Sequence, residues 1–220
     1  MLLLLLILLL EQLLELWLSI LDLVSILHRV PSPLLHLQQY FYSTIADYTQ
    51  VSYVLAGIPN LTRTPSLSLI YRASCDGWKT DDFHIRCNNT GPTVTLVRSS
   101  RGILCGGYTK VPWSSNYTWV SDPDARLFAL TDEKIVYFPQ NSSVALKHGS
   151  YYGPNFGYEM KLGGSYNDLM NRTYGGYSLI NGTYNVTKSA QGNSRLTGDG
   201  SGSADGMFTA TEIEVYTVIP

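Results

Sequence analysis

The stretch Thr93-Val-Thr-Leu-Val-Arg-Ser-Ser-Arg-Gly-Ile-Leu-Cys-Gly-Gly-Tyr-Thr109 decides the fold of this 220-residue chain. Two runs rich in β-branched and aromatic residues, Thr93–Arg98 and Ile103–Thr109, flank a Gly-containing turn of hairpin length, which predicts an antiparallel pair. Gly106 and Gly107 lie inside the second run, where a missing side chain lets a backbone or a ring approach closely. The same reading extends outward. Leu67–Arg72 predicts a strand, as do Arg126–Leu130 and Lys134–Phe138 around Thr131-Asp132-Glu133. Shorter strands are expected at Val144–His148, Asn155–Met160 and Thr183–Thr187, and Glu212–Val218 closes the chain. Between the first strand and the hairpin, Thr80 suits a helix N-cap, with Asp81 and Asp82 at the positive end of the dipole. Phe83 and Cys87 would then share one face at i, i+4.

Composition agrees with a β protein. The chain holds 19 Gly, 16 Tyr, 22 Ser and 18 Thr, a palette of strands and turns. Only 15% of residues are charged and the net charge is −2. That excludes a strongly basic nucleic-acid binder, and 45% hydrophobic content excludes disorder. Many short strands with few helices predict a mainly β (α+β) domain, a two-sheet antiparallel β-sandwich. The expected organisation is a leucine-rich segment at 1–30, a linker and divergent start at 31–66, and the domain core at 67–220.

Residues 2–10 are unbroken Leu/Ile, and apolar dominance runs to Leu27. The run is long enough for a signal core, yet no cation precedes it and no Ala-x-Ala-like site follows. As a membrane helix, its apolar gain nearly cancels against Glu11, Glu15 and Asp22. Glu11, Glu15, Ser19 and Asp22 also form one polar stripe, as on a helix packed against a partner. Signal, anchor and packed helix all remain open, with membrane association through 2–27. Asn-x-Ser/Thr occurs at Asn60, Asn88, Asn116, Asn141, Asn171, Asn181 and Asn185, seven of eleven Asn. Sequons are used only in the secretory lumen and on surface loops, so these favour a secretory or membrane-associated location over a cytoplasmic one. Arg29, after the apolar segment, points weakly the other way.

Cys75, Cys87 and Cys105 are an odd set without metal-ligand spacing. Cys75 and Cys87 could bridge if the fold brings them within about 7 Å, although ordinary thiols are the favoured reading. The Gly/Ser-rich run 198–206 departs from a calcium loop at its Gly and Glu positions, and no phosphate loop or hydrolase elbow occurs. No cofactor is expected. Glu212 and Glu214 project on one face of the last strand. A carboxylate pair can serve glycoside hydrolysis, but a solvated acidic edge that orients a partner is favoured. Trp78 and Trp113, both beside turns, are candidate partner anchors or sandwich seals. His84 and His148 fit capping or core roles better than general-base work. The tyrosines at 151, 152, 158, 166, 174 and 177 suit strands or a sugar-stacking surface.

Several blocks together resemble a known family. They are Leu69-Ile-Tyr-Arg-Ala-Ser-Cys-Asp-Gly-Trp78, Asp82-Phe-His-Ile-Arg-Cys87, Gly91-Pro-Thr-Val-Thr-Leu-Val-Arg98 and Gly106-Gly-Tyr-Thr-Lys-Val-Pro-Trp113. Asp124-Ala-Arg-Leu-Phe-Ala-Leu130, Gly153-Pro-Asn-Phe-Gly157 with Asp168-Leu169, and Glu212-Ile-Glu-Val-Tyr216 continue the order. The set is similar to the TLDc domain over roughly 43–218, particularly its divergent protist-like and invertebrate branch. Departures include Cys105 in place of Phe, Cys75 in place of a polar residue, a longer Gly/Ser loop, the leucine segment and the sequon density. The resemblance implies a β-sandwich without a catalytic set, linked to oxidative-stress resistance. For a cytosolic chain it implies a vacuolar proton-pumping ATPase subunit as partner. A lumenal chain would instead be a glycosylated ectodomain binding protein or carbohydrate.

Overall fold

A computed structural model describes residues 12, 41–56, 58, 61, 65–130, 134–163, 168–169, 176–177, 183–184, 186, 196–198 and 208–219. The chain divides into two compact units, Met1–Tyr40 and Phe41–Pro220. Gln12 is the one described residue of the first unit, so the expectations for the leucine-rich segment lie outside the described residues. So do the sequons at Asn60, Asn171, Asn181 and Asn185, residues 199–206 of the Gly/Ser run, and Tyr166 and Tyr174. No helix among the described residues is long and apolar enough to cross a membrane.

The second unit is mainly β: two antiparallel sheets with few short helices, as the alternation predicts. In chain order, helix α1 (Tyr48–Ala56) and strand β1 (Ser66–Arg72) lead into α2 (Ala73–Asp76) and α3 (Thr80–Cys87). The hairpin follows as β2 (Thr93–Ser99) and β3 (Leu104–Thr109), then β4 (Thr118–Val120), β5 (Arg126–Ala129) and β6 (Ile135–Tyr137). Strands β7 (Leu146–His148), β8 (Tyr152–Phe156), β9 (Met160–Gly163), β10 (Gly176–Tyr177) and β11 (Ala210–Ile219) complete the set. The larger sheet has six strands in the order β1-β11-β2-β3-β5-β6, and the smaller has five, β10-β9-β8-β7-β4.

Two expectations need correction. The strand expected at Asn155–Met160 is divided: Asn155 and Phe156 end β8, residues 157–159 turn and Met160 opens β9, because Gly157 adopts φ +58° and a Cβ there would meet Thr183 at 2.6 Å. Thr183 and Tyr184 lie in a turn rather than a strand.

One core fills the space between the sheets. Tyr71, Val97, Leu127, Ile213 and Val215 of the larger sheet meet Leu146, Phe156, Met160 and Leu162 of the smaller. Phe83 and Cys87 of α3 join them from a common face, as their spacing predicts. Gly107 makes the close approach possible: a Cβ there would lie 2.5 Å from the Phe156 ring. A second core lies on the opposite face of the larger sheet. There Val51, Val54 and Leu55 of α1, with Ile45, cover Val94, Leu96, Leu104, Phe128, Tyr216 and Val218. The bulge between Leu69 and Tyr71 lets β1 serve both cores, with Leu67 on one side and Tyr71 on the other.

Candidate functional site

Glu212 and Glu214 do not form a solvated acidic edge. Strand β11 runs between β1 and β2 in mid-sheet, and residues 41–56 with Ile58 cover the face carrying both carboxylates. The Glu214 side chain is 0% exposed and forms an ion pair with Arg72 Nε at 2.9 Å. Its Oε1 also accepts from the Thr44 amide (3.0 Å) and hydroxyl (2.8 Å). Its Oε2 faces the hydroxyls of Ser43 (2.5 Å) and Tyr216 (2.9 Å). Burial alone would raise the Glu214 pKa, but hydrogen bonds from Ser43, Thr44 and Tyr216 outweigh it and hold the carboxyl below its ordinary value. Glu212 accepts from the Ser74 amide at 3.1 Å and satisfies the start of α2. Both carboxylates are structural acceptors, so neither is presented to a partner.

Trp113 is likewise interior, at 1% exposure, with its ring against Phe83 and Phe156 and its Nε1 donating to Thr93 Oγ1 at 3.0 Å. Only Trp78 of the two anchors is half-buried, packed on the margin of the core. Cys75, Cys87 and Cys105 are free thiols, so the 75–87 bridge is not formed; Cys75 is exposed on α2 and Cys87 is buried on α3. Burial pushes the Cys105 thiol up to about 12. Among the described sequons, Asn116 and Asn141 are exposed, whereas Asn88 is engaged by His84 (2.8 Å) and donates to Ser115 (2.8 Å). Thr80 is the first residue of α3 rather than its cap. Lys79 precedes it, and the Lys79 amide donates to Asp82 Oδ2 at 3.0 Å.

Both histidines are buried. His84 Nε2 faces the carbonyl of Tyr152 at 2.8 Å. His148 Nδ1 lies 2.9 Å from Ser114 Oγ, a pairing across 34 residues that the sequence does not reveal. It makes a poor catalytic dyad. Burial and the neighbouring His84 hold the His148 pKa down to about 4, and its Nε2 has no hydrogen-bond partner among the described residues to steady an imidazolium.

The residues that do converge lie on the outer face of the smaller sheet. Strand alternation turns Leu146, Phe156, Met160 and Leu162 inward, so Lys147, Asn155 and Lys161 point out. Register then places Trp119 opposite Lys147, and Asn155 opposite Lys161. With Tyr117, Tyr152, Gly157 and Tyr158 these residues line a cavity of about 420 Å³. The Lys147 ammonium sits 4.5 Å from the Tyr117 ring centroid and 4.7 Å from that of Trp119. The Lys161 ammonium lies 4.5 Å from Tyr152. The two tyrosine hydroxyls are 3.1 Å apart, and Trp119 packs on Tyr158 at 4.8 Å.

Neither lysine has an acidic partner among the described residues, and no carboxylate lines the cavity. Burial draws the Lys161 pKa below its usual value. The Tyr117 hydrogen bond, with burial, pushes the Tyr152 hydroxyl up to about 12. Asn155 is 3% exposed and its Oδ1 has no hydrogen-bond partner among the described residues, a deficit worth about 1–3 kcal/mol. Tyr152 and Tyr158 come from the tyrosine cluster that the sequence singles out; Tyr117, Trp119 and both lysines are joined to them only by strand register. Among the described residues no His/Cys/Asp/Glu group could hold a metal.

Fold and site together define a two-sheet β module with a polar-aromatic recess. The TLDc domain model matches residues 40–219, and the chain belongs to that family. A search of curated proteins finds no match.

Proposed function

We propose that the chain is a non-enzymatic TLDc interaction module whose rigid sandwich presents its surface to a protein partner. The observation that carries the reading is the engagement of its titratable groups: Glu212, Glu214, His84 and His148 are all committed within the fold. A catalytic pair needs a group poised near neutral pH and facing a substrate space. His148, held near 4 and set in the interior, does not meet that need. Family resemblance gives the partner as a subunit of the vacuolar proton-pumping ATPase for a cytosolic chain, with a role in oxidative-stress resistance. Half-buried Trp78 and Ile85 of α3, which is 82% exposed, supply apolar contact.

The test is retention of purified pump subunits on the immobilised protein. Wild type retains a subunit, and Ile85→Asp or Trp78→Ala reduces that retention; no retention of any subunit overturns the reading. Turnover of a glycoside or ester substrate that disappears in Ser114→Ala overturns the non-enzymatic part. The lumenal ectodomain is favoured by the exposure of Asn116 and Asn141. Endoglycosidase treatment of the native protein increases gel mobility in that case, and an unchanged band eliminates it.

A further inference from the structure

We propose that the recess on the smaller sheet binds a small hydroxylated oxyanion, a sugar or polyol bearing a carboxylate or a phosphate. The inference is independent of partner binding. Four features select this chemistry. Lys147 and Lys161 present positive charge without a carboxylate to neutralise it among the described residues. Both ammoniums are held over rings, so each is already partly stripped of water and placed before a ligand arrives. Asn155 lines the same wall, and its buried Oδ1 has no hydrogen-bond donor among the described residues. Trp119 and Tyr158 add apolar ring surface to the same wall, suited to the C–H face of a saccharide.

The same features exclude neighbouring chemistries. A quaternary ammonium or metal cation would meet two ammoniums on the very ring faces it needs. A purely apolar ligand would leave Asn155 unsatisfied and both charges desolvated. A cavity of about 420 Å³ falls within the range of small-molecule sites, roughly 300–1,000 Å³. Inorganic phosphate alone could pair with a lysine but would not fill the recess or use its rings.

Calorimetric titration of the intact protein with glucuronate, glucose 6-phosphate, inorganic phosphate, glucose and a short poly-glutamate peptide tests the proposal. Binding of glucuronate or glucose 6-phosphate is expected, with glucose and inorganic phosphate each weaker by about tenfold or more, since a charge-assisted bond contributes on that scale. The first two arms separate a carboxylate source from a phosphate one. Lys161→Met and Asn155→Ala should each weaken the preferred ligand by about fivefold or more, while Lys161→Arg, which keeps the charge, retains most of the affinity. Should a variant fold poorly, ligand-induced shifts of the Trp119 and Tyr158 ring resonances in the wild type give the same answer. No binding of either acidic sugar overturns the proposal. So does equal binding of inorganic phosphate or glucose, tighter binding of the peptide, or indifference to Lys161→Met.

Discussion

The outer faces of the two sheets carry similar side chains, tyrosines beside charged groups, and put them to opposite use. On the larger sheet, residues 41–56 with Ile58 cover the face, and Glu214 is paired with Arg72 and ringed by Ser43, Thr44 and Tyr216. Glu212, Glu214 and Arg72 there have partners inside the fold, whereas Arg126 of β5 has only the Phe138 ring over its guanidinium and no partner for its Nε among the described residues. On the smaller sheet, Lys147 and Lys161 sit against aromatic faces with no acidic partner among the described residues, and Asn155 Oδ1 has no donor among them. A chain selected for stability alone would pair or remove such groups, because unpaired buried polar atoms destabilise. The contrast separates charge that holds the fold from charge that is available to something else.

The contrast breaks most visibly at Glu214. Glu214→Ala leaves Arg72 with an uncompensated charge, only 11% exposed, and should lower the unfolding free energy by about 3–5 kcal/mol in urea titrations. Gly107→Val, in the layer that both sheets share, forces Phe156 aside and should cost about 1–3 kcal/mol by the same measurement. Acid sharpens the comparison further. His148 titrates near 4 in the fold against its usual 6.5, so the unfolded chain takes up the proton first. Stability therefore falls as pH drops from 6.5 towards 4, and His148→Gln flattens that slope. Glu214, depressed in the fold, contributes stability above its unfolded value of 4.5 and loses it as pH falls through the lower folded value. Glu214→Gln removes this second loss. The smallest effect belongs to the other face: Lys147→Met with Lys161→Met should leave the unfolding free energy within about 0.5 kcal/mol of wild type.

Alternation made much of the larger sheet legible. The hairpin at 93–109 and the closing strand could be read because a period of two needs no knowledge of partners. It does not reveal what covers a face. Glu212, Glu214, Tyr216 and Val218 follow one another on one side of β11, and the position of residues 41–56 tells burial from exposure. That segment did carry a signal. Val51, Val54 and Leu55 stand at i, i+3 and i+4, and Asp47 with Gln50 forms a capping box, each side chain accepting the other's amide. The helix was missed because the flanking aromatics obscure so short a stripe.

The recess was less legible still. Lys161, Asn155, Lys147 and Trp119 come from four strands and meet only through register, which no local pattern specifies. Pro154 inside β8 and the turn at Gly157 further disguise the strands that carry them. Tyr152 and Tyr158 could be singled out by clustering, but their partners Tyr117 and Trp119 lie more than thirty residues earlier.

Native-state hydrogen exchange of residues 41–58 tests the division of labour most directly. The account predicts that the amides of Ile45 and Val51–Leu55 exchange as slowly as those of β11, and that Glu214→Ala releases them. Exchange of this segment at the rate of free peptide in the wild type, with β11 still protected, would contradict it.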